Sequence, residues 1–206
     1  MKETTASRTQ HRARKPQQAR GRAKYEHVLD VTESLLVDEG YDAINTNAIA
    51  AAAGISIGSL YHYFPDKAAV LTALAERFYE RYMVLMAAYH ESLNSSVPIR
   101  DYVEGLLGTL ETFAEQNPAL GPSFVVASLA VTEIDDLDRD YHRKIIEMLA
   151  DHYRKVKPAL GSEAASAAAT TVMLVLDALF LEGDDATDVL ADEAIRMLTA
   201  YLEMYL

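Results

Sequence analysis

Apolar residues in this chain return every three or four positions from Tyr25 almost to its end, and nowhere do they sustain the alternation of a half-buried strand. No Asn-Gly or Asp-Gly pair is present to close a hairpin. A chain patterned this way covers its apolar surface by packing helix on helix, so an all-α fold of about nine helices is expected. Half of the 206 residues are apolar and 24% are charged, which supports a sizeable core beneath an ordinary polar surface.

Local punctuation divides the pattern. Tyr25, Val28, Leu29, Thr32, Leu35 and Leu36 share one helical face, and Gly40 stands where that helix should end. Asn45 and Thr46 are capping types that open a short helix through Ala53, terminated at Gly54. Ser56 caps a second short helix, Ile57 to about Tyr63, stopped by Pro65. Asp66 caps a long helix carrying Val70, Leu71, Leu74, Phe78, Tyr82, Leu85 and Tyr89. Further helices are expected from Pro98 or Ile99 to Phe113, from Asp135 to Lys157, from Ser162 to Gly183 and from Asp188 to Leu206. The predicted organisation is a disordered basic arm (1–24), a three-helix unit containing a helix-turn-helix (25–70) and a helical C-terminal domain (71–206).

Charge is distributed unevenly. Residues 1–24 hold Lys2, Arg8, Arg12, Arg14, Lys15, Arg20, Arg22 and Lys24 against Glu3, a balance of +7, so the rest carries −19 of the net −12. A uniformly acidic chain would argue against nucleic acid; a basic arm on an acidic body does not.

The block from Asn45 to Lys67, NTNAIAAAAGISIGSLYHYFPDK, carries the functional signal. A helix-turn-helix needs two short helices, small residues where they cross and a glycine at the turn, supplied here by Ala50, Ala51, Ala53 and Gly54. Ile49, Ile55, Leu60 and Phe64 are candidate apolar anchors. Ser56, Gly58 and Ser59 let the second helix approach DNA closely, and Tyr61 and His62 can reach phosphates or base edges.

At these spacings the block resembles the DNA-binding signature of the TetR family, through Gly54, Ser56, Gly58, Leu60, Tyr61, Tyr63, Phe64, Pro65 and Lys67. Gly40-Tyr41, Thr46, Ile49, Ala50 and Ala53 resemble the family's preceding helices; the resemblance covers about residues 25–75. It implies that Tyr61 touches a phosphate or a thymine methyl and that Lys67 pairs with a phosphate. It implies also that Thr46 and Asn47 meet the DNA backbone, that Ser56, Ile57, Gly58 and Ser59 line the major groove, and that the motif position of His62 favours DNA. In the family the first of the two short helices often carries charged residues facing outward; here positions 48 and 50–53 are alanine, and the arm is expected to compensate with salt-dependent affinity.

Rival readings are weaker. Gly54-Ile55-Ser56-Ile57-Gly58 matches the G-x-S-x-G of serine hydrolases, but that elbow needs a strand before Ser56. Asp136, Asp138, Asp140 and Glu147 fall at calcium-loop positions, yet Tyr141 stands where the loop needs glycine, so a carboxylate-rich helix start is preferred. His11, His27, His62, His90, His142 and His152 form no metal motif, and Asp138 with His142 reads as a solvated helix face. No catalytic residue, metal or cofactor is expected. Without cysteine, with no apolar signal stretch in the first 24 residues, and with Ala164–Leu181 diluted by Ala, Ser, Thr and Asp177, a soluble cytoplasmic protein without membrane insertion is expected. A helical interaction protein without DNA function is the remaining alternative.

The family resemblance also implies that the partners are double-stranded operator DNA, a small-molecule effector and a second copy. Met83, Met86, Tyr89, Tyr102, Phe113, Phe124 and Tyr141 suit an adaptable pocket, although no ligand residue is singled out. Val172, Val175, Leu176, Leu179 and Phe180, with the stripe Leu190, Ala194, Met197, Leu198, Tyr201, Leu202 and Tyr205, are expected to form a homodimer interface through the last two helices.

Overall fold

A computed structural model describes residues 13–94, 97–120, 130–182 and 188–206. Among these residues there are eight α-helices and no strand: α1 (Ala19–Glu39), α2 (Thr46–Ala52), α3 (Ile57–Tyr63), α4 (Lys67–Ser92), α5 (Ile99–Gln116), α6 (Thr132–Val156), α7 (Ser162–Glu182) and α8 (Asp188–Glu203). Single turns of 3-10 helix occupy Tyr41–Ala43 and Pro118–Leu120.

Two helices begin earlier than their apolar stripes. α1 starts at Ala19 where Tyr25 was expected, so residues 19–24 of the predicted disordered arm are helical. Ala, Arg and Lys are strong helix formers, and an apolar stripe marks only the part of a helix that is covered. α6 likewise starts at Thr132, with Glu133 and Asp135 in its first turn where the helix dipole favours them. Asp136, Asp138, Asp140 and Glu147 therefore sit in one unbroken helix.

The chain forms two compact units. The first comprises Met1–Phe78 and Pro118–Asp138. Its core joins Val28, Leu29 and Leu36 of α1 to Ile44, Ile49, Leu60, Phe64, Val70, Leu71 and Leu74, all fully buried. Tyr25 stacks on Phe64 with ring centroids 4.6 Å apart, and the buried Thr32 hydroxyl donates to the Val28 carbonyl at 2.7 Å. Arg77 of α4 pairs with Asp30 at 2.6 Å and Glu33 at 2.5 Å, fastening α4 to α1.

The second unit comprises Tyr79–Asn117 and Arg139–Leu206. Met86, Tyr102, Val103, Leu106, Ile145, Leu149, Tyr153, Val172, Leu176, Leu198 and Leu202 are buried in it. His142 meets Asp177 at 3.1 Å, and Tyr201 donates to Thr171 at 3.0 Å, linking α8 to α7. The stretch Ser162–Phe180 is long and apolar enough to cross a membrane by length and composition, and only 33% of it is buried.

That helix corrects one expectation. Of the five α7 residues assigned to a dimer face, Val172 and Leu176 belong to the protomer's own core, and Val175, Leu179 and Phe180 are half-buried. Leu174, not singled out from the sequence, is 63% exposed. Val172 to Leu176 is apolar at every position, so spacing alone does not tell the inner face of this helix from its outer one.

Candidate nucleic-acid interface

The helix-turn-helix is fastened by short-range bonds. Asn45 caps α2 by accepting from the Ala48 N–H at 3.0 Å, and Ser56 caps α3 by accepting from the Ser59 N–H at 3.1 Å. Asp66 does the same for α4, accepting from the Ala69 N–H at 2.8 Å. Between α2 and α3 the chain reverses through Gly54, whose φ of 62° lies in the left-handed region. The Ile55 N–H donates to the Ala50 carbonyl at 3.0 Å and closes the turn.

These bonds sort the motif into two faces. Ile49, Ala50, Ala53, Leu60 and Phe64 point inward, Ile55 is half-buried, and Ala51, expected at the helix crossing, is exposed. Outward stand Asn47, Ser56, Ile57, Gly58, Tyr61 and His62, with Thr46 and Ser59 partly exposed. Tyr61 is 47% exposed, and its hydroxyl lies 3.3 Å from that of Thr46. This contact brings the start of α2 and the middle of α3 onto one polar face. No acidic residue occurs from Thr46 to Phe64, in a chain of net charge −12.

Tyr63 and Phe64 differ as core aromatics: Phe64 is fully buried, whereas Tyr63 is half-buried with its ring edge-on to Tyr25 at 6.4 Å. Lys67, in the first turn of α4, donates to the Tyr41 carbonyl at 3.1 Å and lies over the Tyr41 ring at 3.7 Å. Burial lowers its pKa, with Asp42 acting in the opposite sense. Ser56 follows an α-helix and a turn, so the strand required by a hydrolase elbow does not precede it.

One feature of the interface has no signature in residue spacing. The Arg14 N–H donates to the Tyr63 carbonyl at 2.8 Å, and Lys15 pairs with Glu76 at 3.1 Å. Residues ahead of α1 are thereby pinned to the C-terminal end of α3.

In the second unit, Met86, Tyr102, Phe113 and Tyr141 of the proposed pocket set are buried, Met83 and Tyr89 are half-buried, and Phe124 lies outside the described residues. Tyr89 donates to the Tyr102 carbonyl at 2.7 Å, and burial pushes its hydroxyl up to about 12. His152 stacks on Tyr102 at 4.7 Å and meets His90 edge-on at 5.3 Å. Burial lowers both imidazoles, His152 to about 4, with His90 and Lys155 adding to the effect. Among the described residues no three His, Asp or Glu side chains are placed to hold a metal ion.

Comparison with known proteins agrees with this geometry. Residues 28–74 match the family described as bacterial regulatory proteins, tetR family, and residues 98–202 match the tetracyclin repressor-like C-terminal domain. The chain is 26% identical over 184 residues to an HTH-type transcriptional regulator from the dhlA 5' region of Xanthobacter autotrophicus, covering 87% of each protein. It is 28% identical over 123 residues to the HTH-type transcriptional repressor KstR of Mycolicibacterium smegmatis, covering 57% of this chain and 59% of that protein. Its fold is that of a TetR-family transcriptional regulator from Streptomyces coelicolor, with a TM-score of 0.64, 24% identity and coverage of 89% and 99%.

Proposed function

The chain belongs to the TetR family of bacterial regulatory proteins and is a DNA-binding transcriptional regulator, and from that premise we propose how its parts act. α3 is the recognition helix. Ser56, Ile57, Gly58 and Ser59 line the major groove, with the exposed Ile57 suited to a thymine methyl, while Tyr61 and His62 reach phosphates or base edges. Thr46 and Asn47 hold the backbone at the start of α2. Lys67 joins them by turning its ammonium from the Tyr41 carbonyl to a phosphate. The observation that carries this reading is the Thr46–Tyr61 contact, which unites both helices in one exposed face without acid.

The protein acts as a homodimer joined through α7 and α8, whose surfaces expose Leu174, Leu190 and Met197. Two-fold symmetry sets the recognition helices about 34–36 Å apart on a palindromic operator. A small-molecule effector in the C-terminal unit displaces α4, which is continuous from Lys67 to Ser92, and so weakens DNA binding as expected of a cytoplasmic repressor.

The test is selection of duplexes by the purified protein from a random pool. A palindrome with half-sites one helical turn apart is expected, with affinity lost in Tyr61→Ala. Failure to enrich any duplex overturns the reading and leaves a helical interaction protein.

A further inference from the structure

The first turns of α1 break a local rule. A helix N-terminus carries partial positive charge and favours acids, yet this one holds Arg20, Arg22 and Lys24 and no acidic residue in its first turn. Arg20 and Lys24 stand four apart on one face, where like charges repel. All three are exposed, as is Arg14. Among the described residues no carboxylate pairs with Arg14, Arg20 or Lys24. Local rules broken without compensation inside the fold point to a partner outside it.

The fold also sorts the charges of α1. At 3.6 residues per turn, Glu26, Asp30 and Glu33 share one flank. There they are used internally, lying 3.6, 2.6 and 2.5 Å from Arg77. Lys24 and Arg20 lie on the other flank, beside Gly21, and a side chain at Gly21 would stand 3.8 Å from the Tyr63 hydroxyl. Arg14 is held at the same place by the 2.8 Å bond from its N–H to the Tyr63 carbonyl. The unpaired cations therefore border the C-terminal end of α3, while the alanines of α2 supply none and Lys67 is held against Tyr41.

We infer that Arg14, Arg20 and Lys24 form a fixed cationic ridge that grips backbone phosphates of the DNA flanking the site read by α3. This deepens, and rests on, the DNA-binding reading above. The occupant is the DNA backbone because the ridge offers exposed positive charge beside the helix proposed to read DNA, which suits a repeating line of phosphates and carries no base readout. Because the ridge is pinned to α3, it neutralises phosphates without the ordering cost that a free arm would bear.

The experiment compares the full chain with the triple variant Arg14→Gln, Arg20→Gln, Lys24→Gln on the duplex selected by the wild type, across a salt series. Removing three phosphate contacts from each protomer, six per bound dimer, makes the slope of log affinity against log salt shallower by about 5, so between 50 and 200 mM salt the wild type loses about 1000-fold more affinity than the variant. The variant melts no lower than the wild type, because it relieves repulsion at a helix start. Trimming the flanks of the duplex removes most of the difference between the two proteins. A second variant with the same charge loss in the C-terminal unit, Arg100→Gln, Arg143→Gln, Arg196→Gln, keeps the wild-type slope.

Equal slopes for the wild type and the ridge variant overturn the ridge alone. So does a C-terminal variant that flattens the slope equally, or a ridge variant whose melting point falls well below the wild type. A wild type that binds no duplex even at low salt overturns both the ridge and the DNA-binding reading.

Discussion

The two units treat polar side chains differently. In the first, Asn45, Ser56 and Asp66 sit at helix starts and bond amides three residues on. In the second, polar groups are gathered inward: Tyr102 and Tyr153 are buried, His152 stacks on Tyr102, and buried Asn117 donates to the Phe113 carbonyl at 2.8 Å while accepting from Arg81 at 2.8 Å. Caps of this kind fix where each short helix begins through bonds that close within a few residues, whatever holds the helices to one another. A unit that buries its polar groups depends on distant helices arriving together, and its stability is correspondingly open to protonation.

The contrast can be broken at four points. The largest effect is expected on the outer face of the second unit. Leu174→Glu with Met197→Glu places unpaired carboxylates in the proposed α7–α8 interface, at a cost of about 3–5 kcal/mol each if they are fully buried there. Sedimentation should then find monomers of unchanged helicity, whereas persistent dimers would move the interface elsewhere. Next is the first unit's core. Phe64→Ala is expected to cost about 3–5 kcal/mol by urea denaturation, and a cost below about 1 kcal/mol would mean that the caps, rather than the aromatic core, hold the motif.

Caps come third. Asn45→Ala and Ser56→Ala should each lower stability by about 1 kcal/mol, and additive loss in the double variant would show that α2 and α3 are stapled independently.

The smallest effect belongs to the half-exposed imidazoles of the second unit. Unfolded His90 and His152 take up protons as pH falls through 6.5, while folded His152 resists until about 4. Stability should therefore decline on acidification across that window and level off below it. His152→Phe, which keeps a ring on Tyr102, should flatten the decline; an unaltered profile would assign the acid sensitivity to other groups.

How far the sequence could be read follows the same division. Gly40, Gly54, Ser56, Pro65 and Asp66 mark their positions by chemistry that acts within three or four residues, so the boundaries of α2 and α3 and the start of α4 were legible within a residue. The outer face Ser56–Ser59, Tyr61 and His62 was legible for the same reason. The start of α1 was not, because Arg and Lys continue a helix without leaving an apolar stripe. Nor was the inner face of α7, where alanine and leucine surround the helix.

By itself the sequence determined the all-helical class, the position of the helix-turn-helix and the residues it presents outward, since each depends on periodicity or on a cap bonding its own turn. Only the tertiary structure decided which α7 residues are core, that Lys67 rests on Tyr41, that Thr46 meets Tyr61 across two helices, and that Arg14 is pinned to Tyr63. Those contacts join residues 15 to 49 positions apart or select one face among equally apolar ones, and no local preference encodes either. The basic segment shows the difference most plainly. Composition identified its charge, but a bond to the last turn of α3 placed that charge beside the helix proposed to read DNA.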